Sequence, residues 1–244
     1  MTGMTAQAVP ILSDNYAWLL RDPATGFTAI VDPAEEAPIM AAIKAGGGRL
    51  DAILLTHHHQ DHIAAVAPIR SQTGAQVIGA KMDAHRLPPL DIAVAEDDVV
   101  ALGAASALVI ATPGHTTGHI SFFIESGRLL LCADTLFSLG CGRLTESGTA
   151  AQLFDSLGKL AALPGDTLVC CGHEYTQSNA RFAVTEEPEN AALRARASEV
   201  GRLRTAGRPT VPTTLQEELA TNPFLRVTTA EAFTAMRRRK DVFR

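Results

Sequence analysis

The chain has 244 residues, 46% hydrophobic and 19% charged, enough for one or two globular domains with a substantial apolar core. A formal net charge of -5 argues against general affinity for nucleic acid, which needs a cationic surface. No run of eighteen or more apolar residues is present to cross a membrane, and Met1–Val9 lacks the basic and apolar regions of a signal peptide.

Taken in order, short apolar runs broken by Gly, Pro and Asp predict strands at Tyr16–Leu20, Thr28–Val31, Ala52–Leu55 and Gln76–Ile78. Further strands are predicted at Ala107–Ala111, Ile120–Ile124, Arg128–Cys132 and Thr167–Cys171. Helical stretches fall at Ala37–Ala45, from about Asp61, and at Ala150–Ala162. Strands that adjoin directly, such as Ile120–Ile124 and Arg128–Cys132, point to hairpins in mixed sheets. After about Glu174 the character changes. Glu189–Thr205 is rich in Ala, Arg, Glu and Leu and predicts a helix, which Gly207 and Pro209 stop. Short helices are expected at Leu215–Ala220 and Ala230–Arg238. The expected organisation is a β-rich body, residues 1–173, and an α-helical C-terminal part, residues 174–244.

Four cysteines, Cys132, Cys141, Cys170 and Cys171, are expected to be reduced thiols, three of them in apolar runs, which suits a cytoplasmic setting. Arg237, Arg238, Arg239, Lys240 and Arg244 make a basic cluster at the end of an otherwise acidic chain. Such a run is a solvated helix end that suits the helix dipole, or a local anion site.

The chemistry lies in Thr56-His57-His58-His59-Gln60-Asp61-His62, which follows the run Ala52–Leu55. In an extended segment residues two apart point the same way, so His57 and His59 can converge on one ion. Asp61 and His62 diverge from that pair if the chain turns into a helix, which suits two neighbouring metals. Three more segments put a donor at a strand exit: His115 after Val109–Gly114, Asp134 after Leu130–Ala133, and His173 after Val169–Gly172. Glycines beside His115 and His173 allow close backbone approach. His58 should point away from its neighbours, His119 suits a supporting role, and His85 suits the surface.

These residues resemble the ligand motif of the metallo-β-lactamase superfamily. The chain resembles in particular its glyoxalase II (hydroxyacylglutathione hydrolase) family. That closer likeness rests on Leu12-Ser13-Asp14-Asn15-Tyr16, Thr112–Thr116, Asp134–Phe137, Gly140–Arg143, Cys171–Thr176, Asn222–Arg226 and Met236–Phe243. It implies an α/β fold, an αββα sandwich of metallo-β-lactamase type, followed by a smaller α-helical domain. It implies two divalent metal ions: His57, His59 and His115 on the first, Asp61, His62 and His173 on the second, and Asp134 bridging. Zinc is the first choice, and iron or manganese also suit such nitrogen and oxygen donors. Arg143, Tyr175, Arg237 and Lys240 fall on the family's glutathione contacts, and a basic C-terminus suits the two carboxylates of glutathione. Gln60 stands where many members have Trp, and Thr145 where some have Tyr.

The implied reaction is hydrolysis of the thioester S-D-lactoylglutathione to D-lactate and glutathione by a metal-bridging hydroxide, with Asp61 and Asp134 as the catalytic carboxylates of the metal centre. The expected partner is this small molecule alone, met by a monomer. Other hydrolases of the same fold (a lactonase, a β-lactamase, a ribonuclease), a mononuclear-iron persulfide dioxygenase and a binding module without turnover stand as alternatives, but the C-terminal landmarks favour the thioesterase.

Overall fold

The computed structural model describes residues 3–145 and 148–243; Arg244, part of the basic cluster, lies outside them. The chain groups into two compact units, Met1–Ala111 with Gly118–Cys132, and Thr112–Thr117 with Ala133–Arg244.

The first unit begins with β1 (Thr5–Ile11), β2 (Asn15–Arg21), β3 (Thr28–Val31), β4 (Ala52–Leu54), β5 (Gln76–Ala80) and β6 (Ile92–Val94), hydrogen-bonded in that order as one sheet. The first three strands run antiparallel, whereas β3 to β6 are parallel neighbours. Parallel strands need crossovers, which are supplied by α1 (Glu36–Ala45) between β3 and β4, and by α2 (Gln60–Ile63) and α3 (Val66–Thr73) between β4 and β5. The parallel centre is buried along whole strands, Thr28–Val31 and Ala52–Leu54, as a sheet covered on both faces requires. The next strands, β7 (Val99–Leu102), β8 (Ala105–Ala111), β9 (Ile120–Ile124) and β10 (Leu129–Ala133), are successive antiparallel neighbours. The expected hairpin at residues 120–132 is therefore present, closed by the short turn Glu125–Gly127 and by Arg128 at φ 49°.

The second unit carries β11 (Leu136–Phe137) paired with β12 (Gly140–Cys141), then α4 (Ala150–Ala161) and β13 (Leu168–Cys171). Helices α5 (Thr176–Glu186) and α6 (Ala191–Thr205) follow, then β14 (Thr213–Thr214), paired with β13, and α7 (Leu215–Thr221), α8 (Pro223–Arg226) and α9 (Ala230–Val242). Local chemistry sets the helix ends. Thr149 and Gln152 form a capping box on α4, and Asn190, Thr214, Asn222 and Thr229 each cap a helix with a side-chain oxygen. Helix α6 ends in paired bonds, Arg208 N–H to Leu203 O at 2.9 Å and Gly207 N–H to Arg204 O at 3.1 Å, with Gly207 at φ 65°. This is the stop expected of Gly207. Leu139, Ala180, Ala183, Leu193 and Val200 form one buried cluster, and Phe224 packs against both Phe182 and Phe233. None of the helices is long and apolar enough to cross a membrane, among the described residues.

Candidate metal centre

In the first unit the donors lie on the loop that leaves β4 and on α2, which follows it. The carboxylate of Asp32, just past β3 and itself at φ 52°, organises this loop. Its Oδ1 accepts Thr56 N–H at 2.9 Å, and its Oδ2 accepts the Thr56 hydroxyl at 2.7 Å. His62 Nδ1 lies 3.0 Å from the same Oδ2. A carboxylate only accepts, so His62 carries its proton on Nδ1 and leaves Nε2 as the ligand nitrogen. The Thr56 hydroxyl spends its only proton on Asp32, so its oxygen accepts from His57 Nδ1 at 3.0 Å, which leaves His57 Nε2 as a ligand nitrogen too. Donor atoms of Asp32, His57 and His62 all lie within 4.8 Å of one another. Both oxygens of Asp32 are already engaged, so it orients the histidines rather than competing for the ion.

His57 Nε2 and His59 Nδ1 approach to 3.2 Å, the convergence expected of two residues in an extended run. The Asp61 carboxylate lies 3.7 Å from His62 Nε2, and Asn15 Nδ2 donates to both the backbone and side-chain oxygens of Asp61 at 3.1 Å. His58 turns instead to the buried Asp83, at 2.8 Å, whose other oxygen holds Arg86 at 2.5 Å. His119 stacks on His57 with ring centroids 4.9 Å apart, a supporting place, and His85 is exposed.

In the second unit Asp134 stands between two imidazoles. His115 Nε2 is 3.4 Å from its Oδ2 and His173 Nε2 is 3.4 Å from its Oδ1, so each oxygen faces one ring. The Arg143 carbonyl accepts from His115 Nδ1 at 2.8 Å and so makes Nε2 the ligand nitrogen here as well. All three side chains are buried. A Cβ on Gly142 would sit 2.0 Å from the Asp134 carbonyl oxygen, and one on Gly114, at φ 139°, would strike Leu153, so neither place tolerates a side chain.

The donors fit a metal. Two ligands each about 2.1 Å from one ion at a tetrahedral angle stand roughly 3.4 Å apart. The 3.2 Å pair in the first unit and the two 3.4 Å pairs in the second match that separation.

The predicted substrate residues all lie in the second unit. Arg143 is exposed. Tyr175 is also exposed and stacks on His173 at 4.5 Å and 7°, with Phe137 edge-on to both rings. Arg237 is buried: Nη1 donates to the Cys141 and Gly142 carbonyls at 3.0 and 3.4 Å, and Nε to Asp241 at 3.0 Å. Lys240 Nζ reaches the Ser178 carbonyl and hydroxyl oxygens at 3.4 Å and lies over the Phe182 and Phe243 rings. Burial lowers its pKa to about 8, helped by the charges of Arg237 and Arg181. Thr145 turns inward, with both its N–H and its hydroxyl on the His115 carbonyl.

Sequence reasoning gave Asp32 no role, although it too is a donor at a strand exit (Val31-Asp32-Pro33). Asn15 appeared only within a motif, and no local signal marks its bond to Asp61.

The metallo-β-lactamase superfamily model matches residues 12–173, and the model for the hydroxyacylglutathione hydrolase C-terminus matches residues 174–243. A hydroxyacylglutathione hydrolase of Cereibacter sphaeroides is 53% identical, over 96% of this chain and 97% of its own. One of Acidiphilium cryptum is also 53% identical, over 99% and 98%. Among solved structures, ETHE1 from Myxococcus xanthus has a TM-score of 0.72 at 27% identity, covering 96% of this chain and 90% of that one. TTHA1623 in a di-iron-bound form has a TM-score of 0.65 at 27% identity, over 91% of this chain and 100% of that one.

Proposed function

Because the chain belongs to the hydroxyacylglutathione hydrolases of the metallo-β-lactamase superfamily, and has that superfamily's fold, we propose that it hydrolyses S-D-lactoylglutathione and related 2-hydroxyacylglutathiones to the hydroxy acid and glutathione. The observation that carries this reading is the tautomer set: the protein's own acceptors make Nε2 the ligand nitrogen in His57, His62 and His115. In this reading His57, His59 and His115 hold one divalent ion, Asp61, His62 and His173 hold a second, and Asp134 serves both. Zinc is the first choice, with iron or manganese also suited to such donors. Bound there, the two ions would supply Lewis-acid stabilisation of the carbonyl oxygen and lower the pKa of water from about 15.7 towards neutrality.

Asp61 and Asp134 contribute charge and geometry and need not donate protons. The leaving group is a thiolate with a parent pKa of about 8.5, so it departs without a general acid. Residues 1–173 then form the catalytic part and residues 174–244 the glutathione-binding part. Arg143 and Lys240 pair with the glutathione carboxylates, and Tyr175 offers its ring beside His173. Arg237 adds its charge and holds the strand end that carries Arg143. The acidic net charge argues against a nucleic-acid partner and the buried free thiols suit a cytoplasmic setting, and a monomer acting on a small molecule, with no membrane partner, belongs to the same proposal.

The test follows the loss of thioester absorbance when metal-replete protein meets S-D-lactoylglutathione, beside a small thioester without glutathione. Fast loss of the first and slow loss of the second is expected. Loss of S-D-lactoylglutathione no faster than in buffer would refute the reading.

A further inference from the structure

In the second unit, the β11–β12 hairpin turns at Ser138–Leu139, and Leu139 has φ 58°, a left-handed conformation that is strained for a non-glycine residue. Bonds from far along the chain hold it there. The Leu139 N–H donates to Glu218 Oε2 at 2.7 Å. Asn222, one helical turn beyond Glu218, donates from Nδ2 to that same Oε2 at 3.1 Å, to the Phe137 carbonyl at 3.1 Å and to the Gly140 carbonyl at 2.9 Å. Its Oδ1 accepts the Phe224 N–H at 3.1 Å, so the amide is also locked into the start of α8. Asn179 Nδ2 closes the turn by donating to the Ser138 carbonyl at 3.1 Å. Glu218 and Asn222 are fully buried.

The hairpin in turn touches two of the metal donors. Past β12, the Arg143 carbonyl accepts from His115 Nδ1, and Thr145 bonds the His115 carbonyl. On β11, the Phe137 ring sets its edge against His173, with centroids 5.9 Å apart. A shift of the hairpin would therefore move the group that fixes the His115 tautomer and the ring that packs on His173. Such supporting partners typically set metal affinity by 10- to 100-fold.

We propose that Glu218, together with Asn222, is a positioning residue for His115 and His173, acting through the Leu136–Cys141 hairpin. The C-terminal helices then set the geometry of the metal centre as well as meeting the substrate. The inference rests on the metal-centre reading above. A carboxylate is a costly acceptor to bury, and burial raises its pKa to about 7 despite the bonds it accepts.

The experiment compares wild type with Glu218→Ala, which removes the acceptor, and Glu218→Gln, which keeps it. Zinc affinity is measured by chelator competition, the His115 Nδ1 proton by its downfield NMR resonance, and folding by circular dichroism. The expected result for Glu218→Ala is a loss of about tenfold or more in zinc affinity at one site at least, with the imidazole resonance broadened or lost. Glu218→Gln should restore both. If Glu218→Ala folds, binds zinc as tightly as wild type and keeps the resonance, the inference is wrong and the clamp serves stability alone. Should Glu218→Ala fail to fold, Glu218→Asp, which draws the acceptor back by one methylene, decides by the same measurements. Wild type that binds no zinc would sink the metal-centre reading, an outcome distinct from either of these.

Discussion

Glu218→Gln has a second consequence, visible in stability without any substrate. Burial raises the Glu218 pKa from 4.5 to about 7, and it does so against the bonds it accepts from Leu139 N–H and Asn222 Nδ2 and the charge of Arg196, all of which favour the ionised form. The folded protein therefore holds this proton more tightly than the unfolded chain does. Its contribution to stability is full below pH 4.5 and is lost as pH rises through 7. That shift is worth roughly 3 kcal/mol in all, most of which is lost between pH 5 and pH 8. Gln does not titrate, so it removes this dependence while keeping an acceptor for Leu139. Urea unfolding of both proteins, zinc-saturated, at pH 5, 6, 7 and 8 gives the difference in unfolding free energy at each pH. The variant should gain on wild type by roughly 2 to 3 kcal/mol across the series. A difference that stays constant with pH would mean that this carboxyl has an ordinary pKa and that the reasoning about its burial fails.

Lys240 titrates in the opposite sense, losing charge as pH passes about 8. KM for the glutathione thioester should climb several-fold between pH 7 and pH 9, and Lys240→Arg should flatten that climb; a wild-type KM constant over this range would remove Lys240 from substrate binding. Lys240→Ala should raise the same KM and leave a small non-glutathione thioester little changed, whereas equal losses on both substrates would contradict a role in glutathione binding. Asp134→Ala should abolish turnover and lower the metal content found by atomic absorption, and retention of both would end the bridging assignment.

Much of this was legible in the sequence because the donors follow one rule: an apolar strand ends and a polar side chain sits at its exit. Strong apolar runs gave their strands nearly to the residue, with Thr28–Val31 and Ile120–Ile124 matching β3 and β9 end to end. Strand β1 escaped notice because Thr5–Ile11 mixes small and polar residues with a proline and is buried only towards its end. Its pairing with the hydrophobic β2 makes it a strand. The helical stretch expected from about Asp61 is two helices, α2 and α3, and its extent was hard to read because Val66–Thr73 buries only Val66 and Ile69, too few apolar positions for a clear period. At the site, ligands were readable as residue types at a spacing. Their supports were not, since Asp32 lies 24 residues before Thr56 and Glu218 lies 79 residues after Leu139, and only folding makes them neighbours. The side chain of Arg237 shows the same limit. Sequence marks a cation, but not that most of its hydrogen-bonding capacity is spent on the protein's own carbonyls and Asp241.

All four cysteines are buried, and burial drives the Cys141 and Cys171 thiols up to about 11 and about 12, with Cys170 also well above the usual range. Mixed-disulfide exchange starts from an accessible thiolate. An enzyme that releases glutathione at every turnover works in the midst of that tripeptide and its oxidised dimer. This protein presents no accessible thiolate to attack the oxidised dimer, so disulfide exchange has no ready route to inactivating it.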